Sequence, residues 1–272
     1  MDRTDIAEGL WAELRRRFGP EGLGDIHLML ESWCGRRPRA SEHPGQQYNE
    51  LYVPGLPGGP WLAPDRLWFH PLVARSMEGL RAEAAQLVDG RVEPAMVNAN
   101  FGPRGSSGTV TTAVGWERPS GWREWFFYRL NQRCEPARAG FPVSSAVADQ
   151  IAAREWVASI GYQLLGPGVR LPPHTDVGNF LVTYQVGVRV PRGCGVRVDG
   201  QTRPWAPAEA HVFDNSYVHE AWNDGDGVRV LFSAYVLHPS LTAIQREALI
   251  YLASNFDFNQ APELINGGGA LS

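Results

Sequence analysis

No lysine occurs in the 272 residues, and all 25 basic side chains are arginine. A phosphate-binding P-loop closes on a lysine, and Schiff-base and pyridoxal-phosphate enzymes need its amine, so these chemistries are excluded. Cysteine is scarce: Cys34, Cys134 and Cys194 form no CxxC pair. Neither a zinc ribbon nor a disulfide framework is indicated, and a reducing cytoplasm is the expected compartment. No apolar run reaches the roughly 18 residues of a membrane span. The start leads into an amphipathic pattern (Ile6, Leu10, Trp11, Leu14, Phe18) without the apolar centre of a signal peptide, so neither a leader nor a membrane partner is expected. Basic excess is also missing, and a net charge of −4 argues against a nucleic-acid partner. The arginine bias points to a GC-rich, bacterial genome.

The chain is 43% hydrophobic and contains 30 Gly, 21 Pro and 10 Trp, which suits one sizeable core. A helix is expected to Phe18, ended by Gly19-Pro20, with Arg15 to Arg17 suiting its C-terminal dipole. Residues 35–65 have loop chemistry. A second helix is expected over 71–88, with Leu72, Val73, Met77, Leu80, Ala84 and Leu87 on the side facing a sheet. Gly102 to Gly108 reads as a mobile loop, because it lacks the Lys that closes a P-loop. A buried strand over 122–130 and a helix over 143–155 follow. From about residue 160, short apolar runs between turn signals indicate an antiparallel sandwich or barrel. In 181–190, Val182, Tyr184, Val186, Val188 and Val190 alternate with Thr183, Gln185, Gly187 and Arg189, the pattern of a half-buried strand with one polar face. Asp199-Gly200 marks a two-residue hairpin turn. Residues 228–237 form the last strand, and the tail Asn266 to Ala270 is expected to fray. The fold class is mainly β with packed helices (α+β). N-terminal helix and loop elements (1–50) and a C-terminal helix and tail (246–272) flank a catalytic unit over 51–245.

On an extended chain, residues i and i+2 face the same side, so His174 and Asp176 of His174-Thr175-Asp176 can converge on one ion. His219 follows 45 residues after His174, and Arg229 lies ten residues beyond His219. Two imidazoles and one carboxylate on one face of a metal are the facial triad of non-haem Fe(II) oxygenases. A guanidinium nearby can clamp a carboxylate such as the distal one of 2-oxoglutarate. Parity places Arg229, Leu231, Ser233 and Tyr235 on one strand face, with Val230, Phe232 and Ala234 on the other. The same ligands also suit a cupin-like metal-binding protein without redox turnover, or a zinc hydrolase. Neither alternative needs a guanidinium there. His27, His43, His70 and His211 read as ordinary surface or core residues, and Asp214 as a turn cap. Trp205 and Trp222 flank the expected site in sequence.

Several stretches resemble the aspartyl/asparaginyl β-hydroxylase family of Fe(II)/2-oxoglutarate oxygenases. They are Pro173-His174-Thr175, Val186-Gly187-Val188, Val196-Arg197-Val198, Phe213 to Asn223 (FDNSYVHEAWN), Arg229 and His238-Pro239. Upstream, Val53-Pro54-Gly55-Leu56, Pro60-Trp61 and Gly121-Trp122 are also similar. The resemblance implies a double-stranded β-helix, or cupin-like jelly roll, with Fe(II), 2-oxoglutarate and O2 as cofactor and co-substrates. It makes His174 and His219 the iron ligands and Arg229 the residue for the distal carboxylate. Asp176 stands where the animal members have Gly and restores the three-ligand triad. Thr183 and Gln185 replace an Arg-x-His pair, and Gln163 replaces a Ser, so these three are expected to contact the co-substrate in a different way. The implied activity is hydroxylation of an amino-acid side chain. The leading substrate is an Asp or Asn β-carbon in a peptide, a natural-product precursor peptide, or a free or carrier-bound amino acid.

Overall fold

The computed structural model describes residues 2–38, 41–47, 51–89, 121–176 and 178–256. The Gly102 to Gly108 segment and the tail Asn266 to Ala270 lie outside them. Among the described residues the β-strands form two antiparallel sheets. The larger contains β1 (Trp61–Leu62), β2 (Trp122–Arg129), β3 (Gln132–Arg133), β4 (Val157–Leu165), β6 (Leu181–Arg189), β9 (Ala210–Asp214) and β11 (Arg229–Leu237), in the order β1-β9-β6-β11-β4-β2-β3. The smaller contains β5 (Arg170–His174), β7 (Cys194–Val198), β8 (Gln201–Pro204) and β10 (His219–Asn223), in the order β5-β10-β7-β8. From β4 onward, consecutive strands alternate between sheets except at the β7–β8 hairpin. This is the winding of a jelly roll. The hairpin turns at Asp199 (φ 49°) and Gly200 (φ 72°), both left-handed as a type I′ turn requires.

Two faces of the larger sheet meet different surroundings. Outward side chains Tyr162, Tyr184, Val186 and Phe232 form the main core with α3 (His70–Arg75), α4 (Met77–Val88) and α5 (Pro142–Ala152). The single helix expected over 71–88 is in fact two. Ser76 (φ −93°, ψ 0°) separates them, and its hydroxyl bonds back to Leu72 O at 2.9 Å. Such back-bonding by a serine competes with the helical ladder, yet all six expected apolar residues are buried. The N-terminus of α5 has no side-chain cap of its own. Glu83 of α4 supplies one, accepting from Val143 N at 2.7 Å and Ser144 N at 2.8 Å.

A second core joins α1 (Arg3–Phe18), α2 (Gly24–Trp33) and α6 (Ala243–Asn255) through Leu14, Ile26, Met29, Leu30, Leu249 and Leu252. The third lies between the sheets and includes Val196, Val198, Trp205, Phe213 and Leu231. The expected polar face of β6 therefore needs correction. Thr183 and Gln185 are buried, as Val182, Val186 and Val188 are, because that face lines the inside of the barrel instead of meeting water. β2 bulges between Phe126 and Tyr128, and a Cβ at Gly161 would lie 2.0 Å from Trp125 O, so only glycine fits beneath it.

Candidate active site

His174 closes β5 and His219 opens β10, and the two are direct partners in the antiparallel ladder. Their rings lie side by side with centroids 4.2 Å apart and planes tilted by 52°. Asp176 lies just past the end of β5, its N–H bonded to Asn215 O at 2.9 Å. One potential ligand atom from each of His174, Asp176 and His219 falls within 4.8 Å of the other two. Each imidazole is oriented by a backbone carbonyl two residues before it: His174 Nδ1 contacts Pro172 O at 2.7 Å, and His219 Nδ1 contacts Tyr217 O at 2.9 Å. A carbonyl only accepts, so each Nδ1 carries the proton and each Nε2 keeps its lone pair for a metal.

The electrostatics fit a cation. Burial, together with the adjacent His174, pushes the His219 pKa down to about 3, which keeps that imidazole neutral. Burial raises the Asp176 carboxyl above the usual range; His174 pulls it down and Glu124 pushes it further up. A divalent metal would relieve the cost of a desolvated carboxylate beside two imidazoles.

Deeper in the barrel, the Arg229 side chain is only 1% exposed. Its Nε and Nη1 have no hydrogen-bond partner among the described residues. Burial lowers its pKa to about 10, so it stays charged at neutral pH. A buried guanidinium with free donors is a receptor for a carboxylate. Two imidazoles, one carboxylate and this guanidinium together meet the donor requirements of Fe(II) and 2-oxoglutarate.

The structure also places Gln163, Gln185 and Thr183 inside the barrel, but they bond mainly to other parts of the wall. Gln185 Nε2 donates to Gln163 Oε1 at 2.6 Å, and Gln163 Nε2 donates to Glu124 Oε1 at 3.2 Å. Thr183 Oγ1 donates to Asn215 Oδ1. Tyr235 stands beside Thr183 and Gln163, close enough to feel the charges of Asp176 and Glu124, and burial raises its phenol pKa. Glu124, Asn215, Ser233 and Tyr235 were not singled out as site residues in the sequence. Strand parity placed Ser233 and Tyr235 on the face of Arg229; Glu124 was visible only as an acid within an apolar strand.

Asp214 caps the turn before β10, accepting from Ser216 N at 2.8 Å and Ser216 Oγ at 2.6 Å. Trp205 packs between the sheets. Trp222 does not border the site: it lies on the outer face of the smaller sheet, with the Arg170 and Arg197 guanidinium carbons 5.8 and 5.7 Å from its ring centroid.

The family model described as aspartyl/asparaginyl beta-hydroxylase matches residues 75–239. The chain belongs to the aspartyl/asparaginyl β-hydroxylase family. The aspartyl/asparaginyl beta-hydroxylase of Mus musculus is 30% identical over 131 residues, 47% of this chain and 18% of that protein. Aspartate beta-hydroxylase domain-containing protein 2 of Homo sapiens is 26% identical over 254 residues, 88% of this chain and 63% of that one. The chain thus spans less than two thirds of the length of either relative. A 2OG-Fe(II) oxygenase family oxidoreductase from Burkholderia pseudomallei overlaps 46% of this chain and 71% of its own, at 16% identity and a TM-score of 0.32. That overlap is partial, and the jelly-roll assignment rests on the strand order above. Among the described residues, no helix of this family member is long and apolar enough to cross a membrane.

Proposed function

We propose that this β-hydroxylase family member is an Fe(II)/2-oxoglutarate-dependent hydroxylase of an amino-acid side chain. The observation that carries this reading is the buried Arg229 with unbonded donors, in the same barrel as the His174, Asp176 and His219 triad. A zinc hydrolase or a cupin-like metal-binding protein without redox turnover would leave that guanidinium without a role. In this reading the triad holds Fe(II) and Arg229 holds the distal carboxylate of 2-oxoglutarate. Iron so held supplies O2 activation, with 2-oxoglutarate oxidised to succinate and CO2 as a C–H bond of the substrate becomes C–OH. The chain's own part is orientation and exclusion of water. The two backbone carbonyls fix the imidazole tautomers, and the closed barrel wall keeps Arg229 dry, where its charge acts most strongly.

The names of the relatives favour the β-carbon of an Asp or Asn side chain as the target. A peptide, a precursor peptide, or a free or carrier-bound amino acid would each present one. The unpaired state of Cys34, Cys134 and Cys194 supports a reducing, cytoplasmic setting.

The test is anaerobic titration of the protein with Fe(II) and 2-oxoglutarate, following the visible metal-to-ligand charge-transfer band. The wild type should develop the band and His219→Ala should not. Arg229→Ala should need on the order of 100-fold more 2-oxoglutarate, because it removes one partner of a buried charge pair. Stoichiometric metal binding without a band in the wild type would refute the oxygenase and point to zinc-dependent hydrolysis.

A further inference from the structure

Near the site, the buried polar atoms left without partners are all able to donate. Besides Arg229 Nε and Nη1 they include Ser233 Oγ and Asn215 Nδ2. The amide acceptors beside them are engaged: Asn215 Oδ1 receives Thr183, and Gln163 Oε1 receives Gln185. A wall left in this state is built for an acceptor-rich, anionic ligand, since buried polar groups in native proteins are otherwise satisfied.

Ser233 is only 3% exposed and shares the inward face of β11 with Arg229. Its cross-strand neighbours are Gln185 on β6 and Gly161 on β4. The glycine brings no side chain, and the amide of Gln185 is turned to Gln163. Nothing among the described residues therefore takes up the serine hydroxyl. The chain of amides from Gln185 through Gln163 ends on the Glu124 carboxylate, so that edge of the barrel repels an anion. Attraction lies along β11, where Arg229 carries the positive charge.

We infer that Ser233 is the second carboxylate-binding residue of the site. Its hydroxyl donates to the distal carboxylate of 2-oxoglutarate held by Arg229, while Gln163, Gln185 and Thr183 serve as the wall that shapes the cavity. This rests on the oxygenase reading above and adds a positioning role for a residue on β11.

Two ligands separate this role from general packing: 2-oxoglutarate, and 2-oxovalerate, which has the same carbon chain without the distal carboxylate. Wild type, Ser233→Ala and the nearly isosteric Ser233→Cys are titrated anaerobically with Fe(II) and each keto acid, following the charge-transfer band. Both variants should bind 2-oxoglutarate roughly 10- to 50-fold more weakly, the range for losing a hydrogen bond to a charged group. Affinity for 2-oxovalerate should stay within about twofold, because that ligand offers Ser233 nothing to hold. Unchanged 2-oxoglutarate binding, or an equal loss for both ligands, would overturn the assignment while leaving the oxygenase reading intact. A wild type that gives no band with either ligand would remove both.

Discussion

Arg229 is the residue on which folding and function pull in opposite directions. A guanidinium 1% exposed, with two nitrogens unbonded, is costly to the free protein, and its pKa, lowered to about 10 by burial, expresses that cost. Replacing buried charge by a flexible apolar chain of similar length is often neutral or stabilising. Arg229→Met should therefore leave the ligand-free protein at least as stable as wild type, by about 0 to 3 kcal/mol in urea unfolding. The same variant should lose 2-oxoglutarate binding. A clear drop in stability would mean that the guanidinium has a structural partner and is not held in reserve for a ligand. His174 and His219 carry no such conflict, because the carbonyls of Pro172 and Tyr217 already satisfy one nitrogen of each ring.

At the scale of elements, the outer helices depend on one carboxylate. The first N–H groups of α5 are orphans of the helix, and Glu83 accepts two of them as well as the Ser144 hydroxyl. Glu83→Ala should cost about 2 to 4 kcal/mol in urea unfolding, since two donors lose a charged acceptor, with Glu83→Gln in between. The charge-transfer band at saturating ligand should survive, because α4 and α5 pack on the sheet face opposite the site; its loss would show that the outer layer sets the site geometry. What the sequence revealed at this scale follows its periodicities. β6 was legible from its alternation and β11 as an apolar run, but alternation alone cannot tell water from the interior of a barrel, so it gave β6 a polar face without showing that this face is buried. The break at Ser76 was hidden because the apolar spacing runs through it. α2 was missed altogether: it opens on Gly24 with Leu23 at its N-cap position and no side-chain cap, although Ile26, Met29, Leu30 and Trp33 bury one face.

Over the whole molecule, His174 and Asp176 were legible from local spacing and His219 from the stretch FDNSYVHEAWN, whereas Glu124, Asn215 and Tyr235 carry no local pattern and come to the site only when the jelly roll closes. Two buried groups then set opposite pH responses. Burial, helped by the nearby charges of Arg66 and Arg246, pushes the pKa of His238, where β11 gives way to α6, down to about 4. Its folded pKa lies below the unfolded value, so the unfolded chain binds the proton first. Stability is lost as pH falls from about 6.5 to about 4, by roughly 3 kcal/mol. Asp214 is raised by burial to about 6, against the bonds from Ser216 and Gln46 that favour its charge. The folded protein binds that proton first, so stability is regained as pH falls from about 6 to about 4, again by roughly 3 kcal/mol. Urea unfolding of the metal-free protein across this window, read as the difference from wild type, isolates each group. His238→Asn, whose side-chain oxygen can still accept from Ser240 N as Nδ1 does, should gain stability relative to wild type as the solution is acidified. Asp214→Asn should lose it over the same interval. Difference curves that stay flat, or that slope the same way, would show that neither buried group titrates apart from its unfolded value.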